Sequence, residues 1–369
     1  MICESFLECG GCQLPQEYNK QFEQKFEEFL ELFGFKSNDV EKFFSPSSGF
    51  RARGEFRLHT ENNKIYLSMN PYGQNNRVKI STCPILLPYL QDKLTILLLH
   101  INANPVIKDK LYGVKILGGL RGEAIITLIY HKKLDLCWEE NALRLAQELE
   151  CFIIGRSKGE RRIIGRDFIN ETLSINGEKF FYIQKEGNFS QPNPYINTQM
   201  IEFVLSKLPA ALSTDLLEMY CGSGNFTLAL SKRFNKILAT EVVKSAIKVL
   251  EKNAENNDIH NITAARLSGY ETIEALDRQR AFFRLREIDL DKFNFSHIFI
   301  DPPRSGICDL DMLNFIQRFD SIIYISCNPL SLKEDLKTLQ KTHKIEHCGV
   351  FDQFPYTHHL ECGIILKRL

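Results

Sequence analysis

Four short strings in this chain of 369 residues carry side chains able to do chemistry. Ser326-Cys327-Asn328-Pro329 ends an apolar run with a cysteine pinned by a proline. A thiol at the carboxyl end of a strand can face a ligand crevice, and its thiolate is the nucleophilic form. On position alone, a buried and inert thiol is the commoner reading. Phe354-Pro355-Tyr356-Thr357-His358-His359-Leu360-Glu361-Cys362 places the carboxylate of Glu361 beside a late strand. A carboxylate so placed can take a proton from a reacting carbon, while His358 and His359 are as readily structural as functional. Asp301-Pro302-Pro303-Arg304 follows another apolar run. Its two prolines withdraw two backbone donors and force an extended turn, presenting Asp301 at the end of its strand.

The fourth string is Tyr220-Cys221-Gly222-Ser223-Gly224-Asn225-Phe226, a glycine turn between a strand and a helix. Such a turn lets the backbone approach a ligand at a helix N-terminus, although two glycines alone are a weak signal. Glu241 strengthens it. It ends the next strand, 19 residues after Gly222, where a carboxylate can accept hydrogen bonds from both hydroxyls of a ribose. The third glycine of a pyrophosphate-binding turn is missing. That favours an adenosine cofactor without a pyrophosphate, namely S-adenosyl-L-methionine.

The elements that must hold these strings fall into three regions. Residues 1–44 open with cysteines and continue with Phe22, Phe26, Phe29, Leu30 and Phe33 at helical spacing before Gly34, which predicts a core-facing helix. Residues 45–186 hold short alternating runs (Glu55–His59, Lys64–Ser68, Ala124–Tyr130) between Asn- and Gly-rich turns, with a helix around Trp138–Cys151; this predicts a β-rich domain. Residues 187–369 alternate helical segments with seven strand-like runs: Leu216–Tyr220, Lys236–Thr240, Ile262–Arg266, His297–Ile300, Ser321–Ile325, Lys344–Phe351 and Cys362–Leu366. That alternation predicts an α/β domain, a Rossmann-like, mostly parallel seven-stranded sheet covered on both faces.

Composition narrows the class without identifying it. Lys plus Arg and Asp plus Glu are equal at 46 each, so the net charge of zero argues weakly against a polyanionic partner, leaving room for a local basic patch. The longest apolar run, Leu94–Ile101, contains His100 and is too short to span a bilayer. The first residues lack a basic stretch followed by an apolar one, so a cytoplasmic location is expected, and the 11 cysteines are expected to be thiols, ligands or nucleophiles.

Taken together, Tyr130-His131-Lys132-Lys133-Leu134, Asn188-Phe189-Ser190-Gln191-Pro192-Asn193, Leu217-Glu218-Met219-Tyr220-Cys221-Gly222, Asp301-Pro302-Pro303-Arg304-Ser305-Gly306, Ser326-Cys327-Asn328-Pro329 and Phe351-Asp352-Gln353-Phe354-Pro355-Tyr356-Thr357-His358-His359 resemble the RNA uracil-C5 methyltransferase family. The resemblance covers essentially the whole chain. It is closest to the branch that makes ribothymidine in the T-loop of tRNA and also acts on tmRNA. It implies a SAM-dependent methyltransferase with Cys327 as nucleophile and Glu361 as base. It also implies cofactor contacts from Gln191, Tyr220, Asn225, Glu241 and Asp301, and RNA contacts from Arg51, Arg53 and Tyr112, the last standing where the family has phenylalanine. The chemistry agrees. C5 of uracil is too poor a nucleophile to attack a methyl sulfonium until a thiolate adds at C6 and makes the ring an enolate.

Cys3, Cys9 and Cys12, with the remote Cys83, resemble the [4Fe–4S] ligand set of the related ribosomal-RNA methyltransferases. Free structural thiols and a zinc site are the alternatives. The cysteines also keep 23S ribosomal RNA open as an alternative substrate. A rival from another class is an RNA-binding or RNA-folding protein for which methylation is secondary, although a binder needs no nucleophile. No membrane and no obligate protein partner are expected.

Overall fold

The computed structural model of the chain describes residues 3–369 apart from 16, 72 and 75. The first long element is helix α1 (Tyr18–Phe33), stopped by Gly34, whose backbone is left-handed (φ 72°) and whose N–H returns to the carbonyl of Leu30 at 2.8 Å. Glycine takes this conformation without the steric cost of a Cβ, which is why helices so often end on it. Strand β1 (Glu41–Phe43) follows.

Among the described residues, the β-rich domain is one sheet of seven strands. These are β2 (Arg53–Glu61), β3 (Lys64–Met69), β4 (Val78–Ile80), β5 (Leu111–Gly118), β6 (Ala124–Tyr130), β7 (Phe152–Ser157) and β8 (Glu160–Ile164), in the order β4-β3-β2-β5-β6-β7-β8. Helices Pro88–Ala103 and Leu136–Glu148 join it in a core that includes Leu90, Leu97, Val114, Ile126, Leu128 and Trp138. Hairpin β9 (Phe168–Ile175) and β10 (Glu178–Lys185) comes next. Its Leu173, Ile175, Phe180 and Tyr182 pack with Ile196, Phe226 and Ile323, so this end of the expected central region is part of the carboxyl-terminal core.

The second sheet holds all seven strands expected from the sequence: β11 (Asp215–Met219), β12 (Ile237–Thr240), β13 (Ile262–Ala265), β14 (Phe295–Ile300), β15 (Ser321–Ser326), β16 (His343–Phe351) and β17 (Glu361–Arg368). Its order is β1-β16-β17-β15-β14-β11-β12-β13, so among the described residues the sheet has eight strands, not seven. The extra one is β1, paired in parallel with β16 (Glu41↔Gly349, Phe43↔Phe351). Strand β17 runs antiparallel to both neighbours. Helix α1 belongs to the same layer: Phe22, Phe26 and Phe29 enter the core formed by Leu217, Met219, Ile300, Ile322 and Tyr324. The region expected as a separate arm therefore supplies both a strand and a covering helix to the carboxyl-terminal domain. A three-residue strand carries too little periodicity to be read locally; its pairing partner lies some three hundred residues away. Among the described residues, no helix is long and apolar enough to cross a membrane.

Candidate active site

Strand register brings the reactive side chains to one edge of the eight-stranded sheet. Met219 pairs with Thr240 and with Ile300, Ile300 pairs with Tyr324, and Ser326 pairs with Cys362. One step beyond each of these pairs stand Glu241, Tyr220, Asp301, Cys327 and Glu361. Across the edge they follow strand order, β12, β11, β14, β15, β17. Because β17 is antiparallel to β15, Glu361 starts its strand where Cys327 leaves its own, so nucleophile and base candidates sit side by side.

The cofactor end is shaped by the turn after β11. Tyr220 takes a left-handed backbone (φ 62°), as do Gly222 (φ 56°) and Gly224 (φ 89°). At Gly224 a Cβ would lie 2.4 Å from Leu250 Cδ1, so only glycine fits. Glu241 is held by this turn: its carboxylate accepts from the N–H of Gly222 (3.2 Å) and the N–H of Val243 (2.8 Å). Gln191, Tyr220, Asn225 and Asp301 line one cavity with Glu218, Ser223 and Asn197. Glu241 reaches that cavity only through Gly222, which lines it. Gln191 is fixed by the amide of Gln353 (2.6 Å), and Asn225 by reciprocal bonds with Asn197 (2.7 and 2.8 Å).

Glu218 was not anticipated. It is 1% exposed and one of its carboxylate oxygens has no partner. Burial, and then the charge of Asp301, push its carboxyl up to about 8; burial pushes Asp301 up to about 7. A buried carboxyl and a half-buried one, both poorly compensated and beside one cavity, favour a cationic occupant. S-adenosyl-L-methionine, with a sulfonium and an ammonium, fits that donor set. The available signal was a lone acid in the apolar run Leu216–Met219.

At the other end, Cys327 lines a wide cavity with Arg304, Asn328, His358, His359, Lys25 and Phe29. Burial first, then the charges of Glu361 and Asp301, push its thiol up to about 11, while Arg304 opposes them. Asn328 caps helix Pro329–Leu339, its side chain accepting from the N–H of Leu330 (3.1 Å), so Cys327 stands just before a helix N-terminus, where a thiolate is favoured. Arg304 is held over this pocket by its own carbonyl, which accepts from Asn328 Nδ2 (3.1 Å) and Ser331 Oγ (3.2 Å), and it donates to His359 Nδ1 at 3.0 Å. Burial and the Arg304 charge hold His359 below the ordinary histidine range. Glu361 is fully buried; burial and the neighbouring Asp301 push its carboxyl up to about 8.

Of the residues expected to meet RNA, Arg51 and Arg53 touch each other and Tyr112 stands apart from both. Arg51 lines a different cavity, with Cys3, Cys9, Cys12 and Cys83, and its Nε donates to the carbonyl of Arg53 at 2.9 Å. Arg53 reaches back to the carbonyl and hydroxyl of Ser190, both at 3.2 Å, beside Gln191. Tyr112 is 41% exposed and stacks on His131, ring centroids 3.8 Å apart and 13° from parallel. The four cysteines surround their cavity. Burial first and then the other thiols push Cys12 up to about 12 and Cys83 up to about 11, with Arg51 opposing. Among the described residues, no three His, Cys, Asp or Glu side chains converge closely enough to hold a single metal ion.

The family model for tRNA (Uracil-5-)-methyltransferase matches residues 17–369. The tRNA/tmRNA (uracil-C(5))-methyltransferase of Helicobacter hepaticus is 47% identical, over 100% of this chain and 99% of its own. That of Wolinella succinogenes is 44% identical, over 100% of both. The crystal structure of Pyrococcus abyssi tRNA (uracil-54, C5)-methyltransferase in complex with S-adenosyl-L-homocysteine shares the fold, with a TM-score of 0.73 and 22% identity over 96% of this chain and 85% of that one. With its motifs in register along one sheet edge and its full length matched, the chain belongs to the tRNA (uracil-5-)-methyltransferase family.

Proposed function

We propose that this protein methylates C5 of a uridine in the T-loop of tRNA, and of tmRNA, using S-adenosyl-L-methionine in the cytoplasm. The observation that carries this reading is the edge itself: Cys327 and Glu361 adjacent on neighbouring strands, with Asp301 between them and the Gln191–Tyr220–Asn225 cavity. Family membership supports the substrate.

The bound cofactor supplies an electrophilic methyl group. The chain's residues do the rest. Cys327 sulfur bonds to C6, the C5–C6 double bond opens, and its electrons collect as an enolate through C4. The thiol proton leaves through the open Cys327 cavity to water, so it does not occupy Glu361, and Arg304 and the helix N-terminus favour the thiolate. C5 then takes the methyl group. Glu361 removes the remaining C5 proton, the double bond re-forms, and Cys327 leaves as thiolate. The ring must leave its stack to reach the Cys327 cavity, since neither face of C6 is open in a stacked loop. The seven-stranded sheet β2–β8 and its helices form the proposed RNA-binding domain, with Tyr112, Arg51 and Arg53 on or behind its contact surface.

Cys3, Cys9, Cys12 and Cys83 are proposed to hold a [4Fe–4S] cluster with a structural role. The fit rests on the shared cavity and on Arg51, whose cation offsets thiolate charge. Anaerobically purified protein should be brown and contain iron and sulfide; Cys9→Ser should lose both. The substrate reading is tested by supplying labelled S-adenosyl-L-methionine with bulk tRNA lacking ribothymidine and with unmodified ribosomal RNA, then mapping the labelled nucleoside. Label confined to ribosomal RNA would transfer the reading to that substrate.

A further inference from the structure

The segment between β16 and β17 delivers Glu361 to the edge, and it is clasped by the N-terminal helix. Lys25 lies on the same buried face of α1 as Phe22 and Phe29 and is 4% exposed. Its ammonium donates to Asp352 Oδ1 at 2.6 Å, to the carbonyl of Phe354 at 3.2 Å and to the carbonyl of His359 at 3.2 Å. One nitrogen thus closes the whole segment 352–359 into a ring, ending two residues before Glu361. A second residue of α1 joins in: Gln21 Oε1 accepts the N–H of Tyr356 at 2.7 Å, a residue whose backbone is left-handed (φ 65°). Lys25 also lines the cavity of Cys327.

We infer that Lys25 is a positioning residue for the proton-removal step, holding the segment that sets where Glu361 meets the C5 proton. The inference rests on the reading of Glu361 as base. A free amphipathic helix has no need to bury a lysine, and a lysine is almost never buried this deeply unless it is paired. Here two of its three donors go to backbone carbonyls of the segment that carries the base, so the ammonium specifies a loop shape as well as balancing Asp352. Loss of that shape displaces the carboxylate, and a displacement of about 1 Å can cost on the order of 100-fold in the affected step. Addition by Cys327 is set by β15 and the helix cap after it, and methyl transfer by the cofactor end; Lys25 lines the Cys327 cavity but hydrogen-bonds only to the 352–359 segment, so those steps are affected less.

The test compares Lys25→Arg, Lys25→Met/Asp352→Leu and Glu361→Gln. Lys25→Arg keeps Asp352 paired, so it keeps the fold, but a planar guanidinium cannot meet three acceptors from one nitrogen. The double variant removes both buried charges together, which proteins tolerate far better than stranding one. Each variant receives tRNA lacking ribothymidine and labelled S-adenosyl-L-methionine, and the labelled RNA–protein adduct is followed on a denaturing gel against released product. The expected result is release slowed roughly 10- to 100-fold in a folded Lys25 variant, with methylated adduct accumulating as in Glu361→Gln. A primary deuterium effect should also appear with 5-deuterated uridine. Wild-type release by a folded variant, or equal loss of adduct formation, methyl transfer and release, overturns the inference. If Glu361→Gln itself releases product normally, the base reading has failed; if Glu361→Gln traps adduct and folded Lys25 variants do not, only the inference has.

Discussion

The two ends of the catalytic edge are built by different means. At the cofactor end, Tyr220, Gly222, Gly224 and Glu241 are placed by one turn and one pair of parallel strands, and their hydrogen bonds span about twenty residues. At the nucleophile end, Cys327 and Glu361 depend on an antiparallel strand, a helix cap and a segment tied to α1 by a contact spanning 334 residues. Local geometry suffices where a ligand needs a backbone cradle. Proton removal needs a side chain aimed at one atom, and that aim is set by packing across the whole domain.

The sharpest test of this division is Cys327→Ala, which should lower turnover by on the order of 10³-fold or more while leaving affinity for S-adenosyl-L-methionine near wild type. Calorimetric binding beside a methylation assay measures both; coupled losses would show that the two ends are not independent. pH comes next. The Glu361 carboxyl is pushed up to about 8, so below that pH it holds a proton and cannot accept one from C5. Decay of preformed methylated adduct should slow roughly tenfold per unit as pH falls below about 8, and because the adduct is already methylated this readout is separate from any titration of Glu218 and Asp301 at the cofactor end. A pH-independent decay between 6 and 8 would place the proton on another group.

Gly224→Ala probes the cofactor end alone. With φ at 89° and Leu250 in the way, it should cost about 1–3 kcal/mol locally and weaken cofactor binding roughly tenfold or more, without altering the partition between adduct and product. Equal damage to product release would dissolve the distinction. The smallest effect is expected of Glu218→Gln. Its folded-state carboxyl is raised above the unfolded value, so wild-type stability falls as pH rises from about 4.5 to about 8. The variant should therefore melt higher than wild type, by a margin larger at pH 8 than at pH 5, on the order of 2–4 °C per kcal/mol recovered. It should bind S-adenosyl-L-methionine several-fold more weakly, having lost a carboxylate for a cation. A lower melting temperature at pH 8 would mean that Glu218 is structurally paired.

Much of this architecture was legible in local pattern. Strand–helix alternation marked every strand from β11 to β17, because strands of a sheet covered on both faces are continuous apolar runs, and their ends are punctuated by glycine and proline. Cys327, Asp301 and Glu241 could be picked out because each closes such a run. Glu218 left a fainter mark, an acid where every neighbour is apolar. Lys25 left one as well, on the face of Phe22 and Phe29, but the face that buries a residue does not name what it will meet.

By itself the sequence determined the kinds of element, the strand ends that carry the chemistry and the cysteine, carboxylate and glycine types found there, since these follow from side-chain periodicity and backbone sterics within a few residues. Only the tertiary structure decided that β1 completes the sheet beside β16, that hairpin β9–β10 packs on the carboxyl-terminal core, that Arg51 faces four thiols, and that Lys25 captures the segment leading to Glu361. Each of those pairings joins residues far apart in the chain. Their free energy comes from burying surfaces that exist only once the whole domain has closed, so no stretch of sequence read locally contains them.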